Sequence, residues 1–132
     1  MRKVIMFRDD DGPIESFEWG QFVIDGEVHS AEGEGVGKDI CILGGEVTAW
    51  EARHGHRLDP GMVDCVLGSG IDVLVIGNGV YGRIHVRDKT LKKIKADGVT
   101  DVIVEKTPEA CETYNKLYRQ GRHVALLAHG TC

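Results

Sequence analysis

The sequence predicts an α/β fold in a single domain of 132 residues, in which antiparallel strands precede a β-α-β-α-β unit. Three short apolar runs, at residues 73–76, 102–104 and 124–128, alternate with two segments of helical periodicity. The first run ends in Gly77-Asn78-Gly79, which indicates a buried strand that enters a tight loop. Asp25-Gly26 lies between two short apolar stretches and is typical of a two-residue hairpin.

The N-terminal half is predicted to consist of antiparallel strands. Residues 4–7 form the first strand, which ends in a turn at residues 9–13. This turn contains three consecutive carboxylates without the spaced second ligands of a calcium loop, so we expect a solvated turn. Hairpins are expected at Asp25-Gly26 and at Gly44-Gly45, and the glycine-rich residues 32–37 between them are expected to form a mobile loop.

The C-terminal half combines helices with the three apolar strands. Each predicted helix has a polar start and a glycine stop: Asp59 before Pro60 with Gly68 or Gly70, Asp88 or Thr90 with Gly98, and Thr107 before Pro108 with Gly121. Residues 80–86 alternate between apolar and polar side chains, which predicts an extended, half-buried segment. The extended segment 80–86 is counted as part of the connection between the first strand and the first helix. The order from residue 73 onward is therefore strand, helix, strand, helix, strand.

Right-handed connections would make the three strands parallel, so that their carboxyl ends meet at one edge, where open α/β sheets bind ligands. The residues delivered there are Gly77, Asn78 and Gly79 after the first strand, Lys106 and Thr107 after the second, and His129, Thr131 and Cys132 after the third. Glycine amides, a helix N-terminus and one lysine would stabilise an anion. We therefore predict a small anionic ligand at this edge, with His129 as a candidate acid or base.

Residues Gly77 to Gly82 match the pattern G-x-G-x-x-G of dinucleotide-binding folds. That motif depends on a helix that begins directly after the glycines, because the helix N-terminus holds the pyrophosphate. Since residues 80–86 are predicted to be extended, the mechanism is missing. No nucleotide cofactor is predicted.

Two other groups of reactive side chains favour structural roles. Cys132 and His129 suggest a thiol with a base, but residues three apart on an extended segment face opposite sides, and a terminal carboxylate at Cys132 disfavours a thiolate. We therefore predict a docked structural terminus there. His54 and His56 have no spaced third ligand, so a polar loop is favoured over a metal site.

Composition excludes several classes of partner. The net charge of −5 is unfavourable for general phosphate-backbone binding, so nucleic acid is not an expected partner. No segment approaches the length of a membrane helix, and the apolar run at the N-terminus ends too early for a signal peptide. The four cysteines are scattered singly, which favours reduced thiols over a zinc ribbon or a disulfide framework. We expect a cytoplasmic protein without a membrane partner.

Several motifs occur together in order: Ser16-Phe17-Glu18-Trp19-Gly20, Lys38-Asp39, Gly44-Gly45 leading to Trp50, Arg53 and His56, the run 74–79, Thr107 with Ala110 and Tyr114-Asn115, and His129-Gly130-Thr131-Cys132. In order and spacing they resemble the adipogenesis-associated Mth-like domain family, from about Ile14 to the C-terminus. The resemblance implies a single α/β domain with a mixed central sheet and a β-ribbon on one side. We therefore predict one Mth-like domain over residues 1–132, in which residues 1–12, outside the matching region, add a strand and a turn. Its members are small proteins of mostly undefined role, and a mitochondrial relative is an assembly factor for respiratory complex I.

Two functions remain open at this point. The first is a non-catalytic cytoplasmic protein-binding or assembly module with an unknown protein partner, since the sequence offers no coherent nucleophile, base and orienting residue. The second is a small-anion or small-metabolite enzyme that uses the carboxyl edge through Gly77, Asn78, Gly79, Lys106, Thr107 and His129. An open cleft at this edge favours the second function, and a covered edge favours the first. No metal or cofactor is predicted for either.

Overall fold

The computed structural model describes residues 4–132, within which strands dominate the N-terminal half and alternate with helices in the C-terminal half. The strands are β1 (Ile5–Arg8), β2 (Ile14–Glu18), β3 (Gln21–Ile24), β4 (Glu27–Ser30), β5 (Asp39–Leu43), β6 (Glu46–Ala49), β7 (Arg57–Leu58), β8 (Val73–Gly77), β9 (His85–Val86), β10 (Asp101–Glu105) and β11 (Val124–His129). The helices are a 3₁₀ helix (Pro60–Val66), α1 (Asp88–Ala96) and α2 (Thr107–Arg119). None of the described helices is long and apolar enough to cross a membrane.

The first four strands form an antiparallel meander in the order β1-β2-β3-β4. The predicted hairpin between β3 and β4 is confirmed, because Asp25 and Gly26 both adopt positive φ angles, of 49° and 81°. Such angles match the right-handed twist of the flanking strands. The meander buries Phe17 against Phe22, whose ring centroids lie 4.7 Å apart.

The central sheet has the order β10-β8-β11-β5-β6. Strands β10, β8 and β11 are parallel, as the β-α-β-α-β pattern predicts, and β5 and β6 continue the sheet in antiparallel fashion. The hairpin at Gly44-Gly45 is confirmed, with φ angles of 59° and 78°. The mixed central sheet implied by the family resemblance is therefore present.

Apolar residues cover both faces of the central sheet. On one face, α2 and the meander pack through Ala110, Tyr114, Phe17 and Phe22. On the other face, the 3₁₀ helix and α1 pack through residues such as Val63 and Ile94. Because both faces are covered, β8 is apolar along its whole length and β11 is apolar up to its last residue, His129, with every residue of both strands buried.

Three local predictions differ from the structure. The segment after Asp59 is a 3₁₀ helix, and the carboxylate of Asp59 accepts a hydrogen bond from Arg87 at 2.9 Å and makes no side-chain cap. Neither Asp88 nor Thr90 caps α1, since the N-cap is Arg87 and the Thr90 hydroxyl donates to the Leu58 carbonyl. Within residues 80–86, only β9 pairs as a strand, in parallel with β7.

The carboxylate turn at residues 9–13 is less solvated than predicted. Asp9 accepts hydrogen bonds from Asn115 at 3.1 Å and from Arg119 at 2.6 Å, both on α2. Asn115 is fully buried and also exchanges two hydrogen bonds with the backbone of Ile14. The turn therefore attaches the meander to α2.

Candidate functional site

The three parallel strands deliver the predicted site residues to one edge of the central sheet. Gly77 ends β8, Lys106 follows β10 and His129 ends β11, and Gly77 is paired with Glu105 on one side and Ala128 on the other. No helix begins after Gly79, because the chain continues as a loop to β9. The helix that a dinucleotide-binding motif needs after its glycines is therefore missing, as the sequence predicts.

Thr107 joins the three strand ends. Its side chain is fully buried, accepts a hydrogen bond from the Gly79 amide at 3.0 Å and donates one to the His129 carbonyl at 2.7 Å. The prediction that Thr107 is the N-cap of α2 is wrong, because the N-cap is Lys106 and no side chain caps the helix. The Thr107 hydroxyl and the Gly79 amide are thus engaged within the protein and are not free to hold an anion.

The C-terminal tail covers the loop that follows β8. The Val80 amide donates to the Thr131 carbonyl at 2.6 Å, and the Arg83 amide donates to the Cys132 carbonyl at 3.4 Å. A Cβ atom at Gly79 would overlap the Cys132 carbonyl, so only glycine permits this close approach. The tail therefore covers much of the carboxyl edge, where a small-molecule enzyme would need an open cleft.

Two of the predicted ligand-binding residues lie beside this covered loop. A Cβ atom at Gly82 would lie 3.4 Å from the side-chain oxygen of Asn78 and 3.4 Å from Cγ of Lys106. The Asn78 side-chain oxygen is buried and has no hydrogen-bond partner, whereas Lys106 is exposed. The side chains of Asn78 and Lys106 are therefore not engaged by the hydrogen bonds that join the strand ends to one another.

His129 is held by a carboxylate from the neighbouring strand. Because β11 pairs with β5 in a register that places His129 opposite Asp39, Nδ1 of His129 lies 2.5 Å from Oδ1 of Asp39. Arg53 contacts the other oxygen of Asp39 at 3.0 Å, and Lys38 contacts it at 3.2 Å. His129 itself is 3% exposed.

Asp39 is ionised in this environment. Burial opposes its ionisation, but the hydrogen bond and charge of His129, together with Arg53, outweigh burial and hold the pKa of Asp39 well below its usual range. An ionised carboxylate can only accept hydrogen bonds, so Nδ1 of His129 must carry a proton. The Asp39 contact therefore fixes the orientation of the His129 ring.

Cys132 approaches two imidazole rings. Its sulfur lies 3.6 Å from Nε2 of His56 and 3.9 Å from Nε2 of His129. The prediction that Cys132 and His129 face opposite sides is wrong, because β11 ends at His129 and the chain bends at Gly130, where a Cβ atom would overlap the Lys38 carbonyl. The alternation of an extended strand does not apply across this bend.

An exposed aromatic cluster borders the same tail. The rings of Trp19 and Tyr81 are 5.6 Å apart, and the guanidinium carbon of Arg83 lies 5.7 Å from the Tyr81 centroid. Trp19 is 41% exposed and Tyr81 is 61% exposed. The contact between Trp19 and Tyr81 depends on tertiary packing that no local sequence pattern reveals.

A basic groove was also missed by sequence reasoning. It measures about 570 Å³ and is lined by Arg57, His85, Arg87, Asp88, Lys89 and Lys92. Four of these side chains are arginine or lysine, although the whole chain carries a net charge of −5. The basic run after residue 83 was visible in the sequence, whereas the approach of Arg57 depends on the pairing of β7 with β9.

Solved structures share this fold. A conserved hypothetical protein from Pyrococcus horikoshii superposes with a TM-score of 0.74 at 25% identity, covering 90% of this chain and 98% of the other. A protein from Bartonella henselae described as an outer membrane protein gives a TM-score of 0.75 at 20% identity, covering 98% of this chain and all of the other. A protein from Bordetella pertussis described as an Mth938-like domain gives 0.53 at 21% identity, covering 84% and 80%.

The last of these similarities agrees with the Mth-like resemblance seen in the sequence, and the comparisons assign no activity. Residues 14–129 match the model of a family described as protein of unknown function (DUF498/DUF598), and the chain belongs to this family.

Proposed function

We propose that this protein is a non-catalytic protein-binding module whose docking surface is centred on Trp19, Tyr81 and Arg83. The observation that carries this proposal is the exposure of two contacting aromatic rings with an arginine beside them. Tryptophan, tyrosine and arginine are the residue types most enriched among those that dominate binding energy at protein interfaces.

The backbone beneath this surface is well anchored. The Gly20 amide, next to Trp19, donates to the Gly130 carbonyl at 2.7 Å, and the Val80 amide, next to Tyr81, donates to the Thr131 carbonyl at 2.6 Å. Both aromatic residues are therefore attached to the same C-terminal tail. A surface that is organised before binding loses less conformational entropy when a partner docks.

The covered carboxyl edge supports the same proposal. Thr107, Gly79 and the tail residues satisfy one another at the position where an enzyme of this topology would open a cleft. A covered carboxyl edge favours an interaction module over a small-molecule enzyme, which would need an open cleft there.

Charge indicates the chemistry of the partner. Arg83 precedes β9 in the chain, and the basic groove takes Arg57 from β7, Arg87 from the residue after β9, and Lys89 and Lys92 from α1. A protein segment that combines an apolar or aromatic side chain with flanking carboxylates would complement both features. We therefore expect an acidic protein partner.

The proposal is tested by identifying a partner with the wild-type chain as bait and measuring its affinity by calorimetry. Truncating a central aromatic residue costs about 2 kcal/mol or more, so Trp19→Ala and Tyr81→Ala should each weaken binding about 30-fold. Tyr118→Ala is the matched control, because Tyr118 is also exposed, at 45%, and lies in the last turn of α2, near Val124 at the start of β11.

The expected result is a saturable complex that Tyr118→Ala leaves intact. A partner whose affinity is unchanged by both Trp19→Ala and Tyr81→Ala would exclude the proposed surface. Turnover of a metabolite by the purified protein, with no stable protein partner, would overturn the proposed function altogether.

A second candidate function is the binding of a small anionic ligand at the carboxyl edge. The specific observation in its favour is the buried side-chain oxygen of Asn78, which has no partner and lies near Lys106. In this candidate, Asn78 and Lys106 contact the ligand, His129 acts as acid or base, and Gly77, Gly79 and Thr107 shape the loop.

This candidate is tested by thermal denaturation with phosphates, nucleotides and carboxylates. A ligand at about 100 times its Kd should stabilise the protein by about 2.7 kcal/mol, and Lys106→Ala should abolish that gain. Lys116→Ala, on the exposed side of α2, is the matched control. No stabilisation by any of these compounds, or stabilisation that survives Lys106→Ala, would exclude the site.

A further inference from the structure

We propose that Cys132 is a nucleophilic thiol that forms mixed disulfides with small disulfide molecules, and that His129 is its general base. Asp39 is the positioning residue that orients His129. The proposal concerns covalent modification of one residue and does not require the docking surface described above.

The geometry brings a thiol, a base and an orienting carboxylate into one chain of contacts. The Cys132 sulfur lies 3.9 Å from Nε2 of His129, and Nδ1 of the same ring lies 2.5 Å from Asp39. A nucleophile next to a base that a third group orients is the arrangement by which enzymes activate thiols. Contacts of this kind are often long before a reactant is bound.

The protonation of His129 follows from its partners. Asp39 accepts the Nδ1 proton, so neutral His129 carries its free lone pair on Nε2. Two hydroxyl- or thiol-bearing neighbours can donate to that lone pair, because Thr131 Oγ1 lies 3.1 Å away and the Cys132 sulfur lies 3.9 Å away. Thr131 therefore competes with Cys132 for the base.

The proposed step is thiol–disulfide exchange. Nε2 of His129 takes the proton of Cys132 while the sulfur attacks one sulfur of the small disulfide. A new S–S bond forms to Cys132, the original S–S bond breaks, and the leaving thiolate takes the proton from His129. Cys132 is oxidised to a mixed disulfide, and half of the small disulfide is reduced to a free thiol.

Access favours a small reactant. Cys132 is partly exposed, and His56, which its sulfur also contacts, is exposed. Exchange requires approach to only one sulfur atom, so it does not need the enclosed pocket that an acyl-transfer substrate would need.

The remaining cysteines define the background for a test. Cys41 and Cys111 are buried, and burial raises the pKa of the Cys111 thiol. Cys65 is exposed, and the hydrogen bond from Cys41 lowers the pKa of its thiol, so it would compete for reagent. Cys65→Ser is therefore the appropriate parent protein.

The test measures the rate at which dithiodipyridine, an uncharged small disulfide, labels the full chain in the presence of a metal chelator. In the Cys65→Ser parent we expect one fast phase, which Cys132→Ser removes. His129→Gln should slow this phase about 10²-fold, the lower end of what a positioned base contributes. His56→Gln is the control, because no carboxylate orients the His56 imidazole in the described hydrogen bonds. It should slow the labelling of Cys132 less than His129→Gln does.

Thr131→Val is expected to keep the fold intact, because it changes one partly exposed hydroxyl to a methyl of similar size. It removes the competing donor, so it should accelerate labelling about fivefold, the equivalent of one ordinary hydrogen bond. In the Asp39→Asn variant, the imidazole ¹⁵N spectrum should show that the proton of neutral His129 has moved from Nδ1 to Nε2. The labelling of Cys132 in this variant should also be slower.

These outcomes decide the proposal even if His129→Gln does not fold. A Cys132 phase no faster than that of an unfolded peptide with the same C-terminal residues overturns it. So does a rate that Thr131→Val leaves unchanged or lowers, or a rate that depends on His56 and not on His129.

Discussion

The hydroxyl of Thr107 is expected to stabilise the fold well beyond an ordinary surface threonine. Thr107→Val keeps the shape of the side chain but leaves the buried Gly79 amide and the His129 carbonyl without their partner. Each such group costs about 1–3 kcal/mol, and the added methyl returns about 1 kcal/mol. We therefore expect a net loss of about 3 kcal/mol in the free energy of unfolding.

Urea denaturation followed by circular dichroism measures this loss. With a slope of about 1.5 kcal/mol/M, the midpoint should fall by about 2 M while the slope is unchanged. Thr113→Val is the matched control, because Thr113 is on the same helix and makes one hydrogen bond, to Glu105 at 2.6 Å, at the half-buried surface. It should cost about 1 kcal/mol.

A further variant separates the hydroxyl from the methyl. Thr107→Ser keeps both hydrogen bonds and should cost only about 1 kcal/mol for the lost methyl. The reasoning is refuted if Thr107→Val is no more destabilising than Thr113→Val, or if Thr107→Ser is as destabilising as Thr107→Val. Either result would mean that the three strand ends are not joined by this hydroxyl.

Two other predictions concern the same edge. The pKa of Asp39 is lower in the folded protein than in the unfolded chain. Its contribution to stability is therefore present above about pH 4 and is lost as the pH falls toward the folded pKa. Urea midpoints measured across this pH range should fall less steeply for Asp39→Asn than for the wild type. Gly79→Ala should lower the melting temperature more than Gly26→Ala, since both glycines have positive φ but only a Cβ at Gly79 overlaps Cys132. Equal decreases in melting temperature would show that the tail does not contact Gly79 this closely.

Much of the fold could be predicted because it follows from short-range signals. Asp25-Gly26 and Gly44-Gly45 are hairpin turns because both pairs adopt positive φ angles. The apolar runs at β8, β10 and β11 predicted three strands in a row, and the connecting helices required them to be parallel. These features depend on residues close together in the chain.

The site depended on contacts that local patterns do not contain. Thr107 has the sequence context of an N-cap, yet its hydroxyl turns to His129 because tertiary hydrogen bonds replace the local one. Asp39 and His129 are 90 residues apart and meet only because β5 and β11 pair in that register. Predicting their contact would have required the register as well as the order of the strands.

The C-terminal tail is the feature that joins these observations. It receives hydrogen bonds from Gly20 of the meander and from Val80 of the loop after β8, so it connects the two sheets at the exposed aromatic cluster. The same few residues place Cys132 against His129 and His56. A partner that docks on Trp19 and Tyr81 would therefore contact a surface whose position depends on the tail, and modification of Cys132 would alter the tail itself. Protein binding and thiol chemistry, although proposed on separate observations, thus depend on one structural element.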